Sequence, residues 1–586
     1  FIQRTTRPEL YNLGWKKSLP MIARRSDCYG LNERLLYDGS VLKDLKDGEI
    51  RALIAELRAG KYNAIAICLL FSFLNPSHEI KLKQALSEEM PELPCSISSK
   101  VAPIWREYDR ASTTIADAFV KPVVSSYVQQ LRTGLSEINL PASLMIMKSN
   151  GGMMSSSSCA AAPIQSMMSG PAGGMIACQA IADALDVKKV LTMDMGGTSC
   201  DVGIIVNAEQ KLTTQYEIEF GLTVSIPMID IRTIGAGGGS IAWIDNGGFL
   251  QVGPHSAGAD PGPACYGLGG NAPTVTDANL VLNRLIPEFF LDGEMSLSKD
   301  AAGTAVATVS ESEVPALEEV ATSITQISED NMANAIRMIS VVEGHDPREF
   351  SLMSFGGAGP LHATAIARKL SIPRVIIPVV PGNTSALGFL LADLRIDKIR
   401  TFPMRSDSLD IDRINQQFND AETSAAKELR VDQYGGAIYW VNTIKMRYAG
   451  QNHEYDVPIP HDFVTEEVIY GAFDSFHQRH EALYGYQLPD AIVEIISLST
   501  TAVGKTDKPP MVYLRPKKTS AEIRVQPVYF TETGYTDTKI IERQSLDTGQ
   551  HITGPAVLVE HGSTTLLRPG DELIVDNSGS LIIEVG

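Results

Sequence analysis

The chain is 586 residues long, 44% apolar and 20% charged, enough for about three or four domains with ordinary globular cores. A net charge of −19 excludes a general nucleic-acid binder, because a phosphate backbone would be repelled. Seven scattered cysteines without a CxxC pair exclude a zinc ribbon and a disulfide framework, and they predict a reducing, cytoplasmic setting.

The longest apolar run, Ala64 to Leu74, is too short to cross a bilayer, which takes about 20 residues, so no membrane is expected. No signal-peptide pattern opens the chain, and a start on Phe1 instead of methionine predicts an incomplete reading frame. The segment 47–58 predicts an amphipathic helix, with Ile50, Leu53, Ile54 and Leu57 on one stripe. Ala64–Phe73 reads as a buried strand, and Asn75–Glu79 as a turn and helix cap in which His78 is a local cap residue. Residues 112–135 predict a long helix interrupted near Pro122, and Leu144–Met147 a buried strand running into Ser149-Asn-Gly-Gly152. Ser169-Gly-Pro-Ala-Gly-Gly174 opens an Ala-rich helix through Ala184.

The stretch from Val190 to Val206 is the most informative. An apolar run ends in Asp194, Gly196-Gly197-Thr198 turns the chain, and Asp201 opens a β-branched run, the pattern of two antiparallel strands joined by a tight turn. Glycines let backbone N–H groups turn inward as an anion nest, and Thr198 adds a hydroxyl. Asp194 and Asp201 would hold a magnesium ion or orient a water. The plain alternative is a solvent-facing hairpin turn with two incidental acids. No Gly-Lys-Ser/Thr follows, so this is not a Walker loop. The hairpin with its acids resembles the phosphate loop of the actin, Hsp70 and sugar-kinase ATPases.

Further strands over 216–231 lead to Ile234-Gly-Ala-Gly237-Gly238-Gly239-Ser240, too glycine-rich for a strand or helix interior. Such a backbone runs against something, and ATP phosphate is the favoured ligand, a mobile loop the alternative. The turn-rich segment 253–279 holds His255, Asp260 and Asp277, which would face a substrate or serve as ordinary loop polars. Helices are predicted over 277–285, 298–309, 314–327 and 331–342. The strand Leu352–Phe355 stops at Gly356-Gly357-Ala358-Gly359-Pro360 before another helix, the usual place for a ligand loop in α/β sheets. His362, in the first turn of that helix, is either functional or a packing residue.

After a strand at 373–381 the character changes to short strands and turns, with helices at 410–430 and 466–484. Arg447 to Glu454 reads as one strand. His477 and His480 lack a third ligand at recognisable spacing, so a solvated or partner-facing helix surface is favoured over a metal face. The last 60 or so residues predict a small β-barrel or sandwich.

Several of these segments coincide with one family. Phe73-Leu-Asn-Pro-Ser-His-Glu79, Lys148-Ser-Asn-Gly-Gly152, Ser169-Gly-Pro-Ala-Gly-Gly174, Met193-Asp-Met-Gly-Gly-Thr198, Gly235-Ala-Gly-Gly-Gly-Ser240, Gly258-Ala-Asp-Pro-Gly-Pro-Ala-Cys-Tyr-Gly267, Pro273-Thr-Val-Thr-Asp-Ala-Asn279, Phe355-Gly-Gly-Ala-Gly-Pro-Leu-His-Ala363 and Gly562-Ser-Thr-Thr565 together resemble the hydantoinase A/5-oxoprolinase family. The resemblance implies an α/β fold: an actin-like (RNase H-like) ATPase core of two lobes, the first incomplete, plus a β-rich C-terminal domain. The boundaries expected are 1–187 for the first lobe, 188–400 for the second and 401–586 for the C-terminal domain. The family's first phosphate hairpin is absent, so the chain is expected to begin inside the first lobe.

The implied function is ATP-dependent hydrolytic opening of a cyclic amide (a hydantoin, 5-oxoproline or a lactam) by phosphorylation of the carbonyl oxygen. Gly196, Gly197 and Thr198 would bind phosphate, Asp194 and Asp201 magnesium, and Gly237–Ser240 and Gly356–Gly359 (with Gly357 and Ala358) would line the nucleotide. A B-type subunit and the cyclic amide are the expected partners, with a homodimer as a further option. The alternatives are an ATP-dependent ketone carboxylase subunit and a non-catalytic, nucleotide-gated scaffold.

Overall fold

The structure, a computed structural model, describes residues 22–140, 142–219, 221–310, 316–432, 434–461, 463–509 and 524–586. It divides into two compact units, each assembled from separate stretches of chain. One comprises the described residues of Phe1–Ser169, Leu212–Met228 and Ala392–Asp507, the other those of Gly170–Lys211, Ile229–Leu391 and Lys508–Gly586.

The first unit is built on a six-stranded sheet, in the order Tyr455–Ile459, Ile438–Tyr448, Val493–Gly504, Leu394–Arg405, Met153–Ser155 and Met145–Met147. Its long strands alternate: Asn442, Ile444, Met446 and Tyr448 are buried while the residues between them are less so. The helices Ile411–Val431 and Glu466–Tyr484 supply Ile414, Phe418, Phe473 and Phe476 to the core that this inward face forms. A separate small core joins the helices Asp47–Ala59 and Ser77–Glu89 to the parallel strands Ile65–Ile67 and Cys95–Ile97.

Several expectations change here. The apolar run at 64–73 forms a strand only over Ile65–Ile67, and residues 70–74 are turns. The buried Glu79 carboxylate accepts from the Leu69 N–H at 2.9 Å and from the Ser98 hydroxyl at 2.7 Å, which draws the chain away from a strand ladder. Pro122 does not interrupt its helix, which runs unbroken from Glu107 to Glu137. Tyr448 ends its strand, and 451–454 is loop before the strand Tyr455–Ile459.

The second unit has a larger mixed sheet. Ile231–Ile234 pairs antiparallel with Cys200–Val206, which pairs antiparallel with Lys189–Met195. Ser351–Phe355 lies parallel beside that strand, and Arg374–Ile377 parallel beside Ser351–Phe355. Leu581–Glu584, Glu572–Val575 and His551–Thr553 then extend the sheet antiparallel. Ser351–Phe355 is buried along its whole length, as a central parallel strand must be. The helices Leu317–Ile339 and Gly359–Leu370 contribute Ile324, Met332, Ile336 and Ile366 to the main core.

One helix, Leu317–Ile339, replaces the two expected over 314–327 and 331–342. The polar run Ser328-Glu-Asp-Asn331 reads as a break, yet Glu329 and Ser328 are buried inside the helix. The segment taken as one C-terminal domain, 401–586, is shared between the units. Leu394–Arg405 and Val493–Gly504 pair with each other in the first, whereas Leu581–Glu584 pairs with Arg374–Ile377 in the second. A four-stranded sheet of Arg524–Phe530, Gly534–Glu542, Ala556–Glu560 and Ser563–Leu567 completes the second unit against the helix Gly359–Leu370.

Candidate functional site

Lys189–Met195 and Cys200–Val206 form the hairpin read from the sequence, in a register that sets Asp194 opposite Asp201 and Met195 opposite Cys200. The turn is closed by the Gly196 N–H donating to Ser199 O at 3.1 Å. Two other glycine loops hold it from behind. Gly238 N–H donates to Gly196 O at 3.0 Å, Gly239 N–H to Gly197 O at 2.6 Å, and Ala358 N–H to Met195 O at 2.9 Å. Close approach is the reason for glycine in these loops. A Cβ on Gly237 would lie 2.5 Å from Thr198 N, and one on Gly356, whose φ is already +81°, would lie 2.4 Å from Met195 O.

The three loops therefore meet, with different roles. Gly196, Gly197, Gly238, Gly357 and Ala358 line one cavity of about 190 Å³. The N–H groups of Gly197, Thr198 and Gly357 have no acceptor among the described residues, and all three residues are exposed. Gly237, Gly239 and Ser240 were expected to touch a ligand and are instead buried supports. The Ser240 hydroxyl accepts from Gly237 N–H at 2.8 Å and donates to Gly235 O at 3.3 Å. Gly356 and Gly359 are likewise buried behind the rim that Gly357 and Ala358 form.

The two aspartates are directly opposed on one face of an antiparallel pair, an unfavourable place for two negative charges. Burial raises the Asp194 carboxyl to about 6, the Asp201 charge adds to that, and the Ser385 hydroxyl, 3.4 Å away, opposes it. Asp201 is also raised by burial, against a 2.5 Å hydrogen bond from the Thr233 hydroxyl. This donor set suits magnesium: two hard carboxylates, with free N–H groups beside them for phosphate oxygens. Among the described residues, no group of three or more His, Cys, Asp or Glu side chains is placed to hold a metal ion. His480 is buried, its Nδ1 bonded to Tyr486 O at 2.9 Å, so the solvated surface favoured for it is not found.

Beyond the glycine rim the cavity is floored by Tyr266, Leu285, Phe289 and Phe290, seated on an apolar cluster that includes Leu280, Val557 and Leu566. Polar side chains line its wall: Thr276, Asn279, Ser563 and Thr564, which fall in segments that carry the family resemblance, and Glu560, which the sequence did not single out. Glu560 belongs to a strand that starts 350 residues after the hairpin ends (Val206 to Ala556), so no local signal could have placed it there. His362 lines the cavity too, and its ring is fixed by Glu329 Oε1 at 3.2 Å on Nδ1 and Asn279 Nδ2 at 3.2 Å on Nε2. Burial pushes the Glu329 carboxyl up, but the hydrogen bond from His362 and the Arg568 and Arg284 charges outweigh it and hold it below its usual value.

His255 and Asp260 are exposed and do not line the cavity, and Asp277 has a structural role. Its buried carboxylate accepts from the N–H groups of Ala264, Cys265 and Thr274 and from the Thr274 hydroxyl, which caps the helix Val275–Val281. His78 is no simple turn residue: its buried ring lies between Glu33 at 2.7 Å and Asp44 at 3.1 Å.

Family models match most of the chain. The model described as hydantoinase/oxoprolinase matches residues 110–398, its N-terminal region 1–90 and its C-terminal domain 405–582. An uncharacterized protein of Methanocaldococcus jannaschii is 35% identical over 100% of this chain and 86% of its own length. The chain belongs to the hydantoinase/oxoprolinase family. Within that family, the caprolactamase subunit alpha of Pseudomonas jessenii is 34% identical over 94% of this chain and 81% of its own. The crystal structure of ATP-dependent caprolactamase from that organism superposes with a TM-score of 0.85 at 32% identity, covering 98% of this chain and 84% of that one. No described helix of this hydantoinase/oxoprolinase family chain is long and apolar enough to cross a membrane.

Proposed function

We propose that the chain is the nucleotide-using, A-type subunit of an enzyme that opens a cyclic amide at the expense of ATP. The observation that carries this reading is the meeting of three glycine loops around a hairpin whose two opposed carboxylates are both held above their ordinary acidity range. The sheet supports it: three consecutive antiparallel strands followed by two parallel ones is the order an RNase H-like ATPase lobe requires.

Magnesium-bound ATP would supply the phosphoryl group that turns an unreactive amide oxygen into a leaving group, so that water can open the ring. The chain's own share is positioning and charge neutralisation. The free N–H groups of Gly197, Thr198 and Gly357 donate to phosphate oxygens without moving, because the loops behind them are tied by backbone bonds. Asp194 and Asp201 would hold the cation, whose charge would offset the repulsion between them. The apolar floor at Tyr266, Phe289 and Phe290 takes the base. The ring-opening site is completed by a B-type subunit.

The test is ADP release measured with candidate hydantoins, 5-oxoproline and lactams, with and without the co-purifying partner. Amide-dependent ADP release is expected. Ring opening that proceeds without ATP rejects the reading, and incorporation of labelled bicarbonate into a ketone would reassign the chain to a carboxylase.

A further inference from the structure

Glu560 ends the strand Ala556–Glu560, and Ser563 faces it across the turn at the start of Ser563–Leu567. One of its carboxylate oxygens, Oε1, is fixed by the Arg543 guanidinium at 2.8 Å. Arg543 is itself buried and tied to Pro378 O at 2.7 Å and Gly579 O at 3.0 Å, so the carboxylate cannot swing away. The side chain is only 11% exposed, yet Oε2 has no hydrogen-bond partner among the described residues, and Glu560 lines the cavity. A carboxylate oxygen left without a protein partner at a cavity wall takes a donor from whatever fills that cavity.

Its position says which part of a nucleotide that is. On one side, the turn it belongs to reaches the glycine rim, where the Ser563 hydroxyl donates to Gly356 O at 3.5 Å. On the other, its strand packs on the 3-10 turn Pro287–Gly293 that carries Phe289 and Phe290. Glu560 therefore stands between the phosphate end and the base end, at the level of the sugar. Only hydroxyl donors are offered there, and a carboxylate takes them strongly.

We propose that Glu560 reads the ribose of the nucleotide by accepting hydrogen bonds from its 2′- and 3′-hydroxyls, which makes the site selective for ribonucleotides. The assignment rests on the nucleotide reading of the cavity. It also gives the C-terminal strands a direct part in binding: Arg543 positions the carboxylate and Glu560 touches the ligand.

Equilibrium binding of ADP, 2′-deoxy-ADP and 3′-deoxy-ADP to the full chain, by competition against a fluorescent ATP analogue, tests this. Each deoxy analogue is expected to bind about tenfold more weakly than ADP, the loss typical of one hydrogen bond to a charged acceptor. In Glu560→Gln, ADP should weaken to the level of the analogues, and discrimination should fall below about twofold. Equal binding of all three to the native chain overturns the proposal and leaves the nucleotide reading standing. Full discrimination retained by Glu560→Gln overturns the assignment to this residue. Failure of the native chain to bind any of the three overturns both readings. Should Glu560→Gln not fold, Glu560→Asp, which keeps the charge and draws it back from the cavity, should narrow the discrimination, and full discrimination retained by it overturns the assignment to this residue.

Discussion

At the scale of single residues, Asp194 is where charge and burial conflict most openly. Its folded carboxyl lies at about 6, against an ordinary 3.8. An unfolded chain therefore gives up this proton first as pH rises. Below about pH 4 the group is protonated in both states and has no effect. Between about pH 4 and 6 it makes stability fall with rising pH, and above that the full cost, of order 2–3 kcal/mol, is present. In metal-free buffer, Asp194→Asn should thus be more stable than the native chain at pH 7.5, with the difference gone at pH 4, as read by thermal denaturation across that range. The same variant should lose ATP turnover by at least about a hundredfold. The glycines give a sharper contrast. A methyl on Gly197 meets nothing within 4 Å, whereas one on Gly237 meets the Thr198 backbone at 2.5 Å. Gly237→Ala should therefore cost about 1–3 kcal/mol by denaturant titration and displace the turn at Gly196–Ser199, while Gly197→Ala should leave stability within about 0.5 kcal/mol.

At the scale of elements, the helix Leu317–Ile339 shows what a sequence discloses and what it conceals. Its apolar stripe is legible, but the run Ser328–Asn331 signals a break because four successive polar residues carry no inward-facing signal. What keeps the helix whole is distant in sequence: His362 and Arg568 meet the Glu329 carboxylate at 3.2 and 3.5 Å. Glu329→Leu should strand the Arg284 and Arg568 charges and destabilise the chain by about 3–5 kcal/mol. Asp330→Ala, one residue on, loses only a surface pair with Lys369 and should cost less than about 1 kcal/mol. Equilibrium unfolding of the two variants is the check. The hairpin at 190–206 was readable for the opposite reason: strand, glycine turn and strand are consecutive, so local pattern alone fixes the element. The loops around it were readable as glycine-rich but not as to their duty, since only packing separates Gly357, at the rim, from Gly237, behind the turn. Asp277 stayed open between a substrate ligand and an ordinary loop polar because a buried cap and an exposed ligand share the same letter.

At the scale of the molecule, the two units interleave in sequence, and this decides what a truncation does. A cut after Asp507 follows a tempting boundary, because the strand Val493–Gly504 completes the sheet of the first unit there. In the second unit the same cut removes Leu581–Glu584, Glu572–Val575 and His551–Thr553 from one edge of the main sheet. Arg374–Ile377 would be left as a new edge, and Val375, Ile376 and Ile377, now fully buried, would lose their cover. An unpaired apolar edge of that kind recruits other chains. The cavity would suffer separately, losing Glu560, Ser563 and Thr564 from its wall. A chain ending at Asp507 should accordingly aggregate, as followed by light scattering of the freshly purified protein, and whatever remains monomeric should fail to bind ADP. A soluble, monomeric product that binds ADP with native affinity would mean that the C-terminal strands neither seal this sheet nor wall the nucleotide cavity.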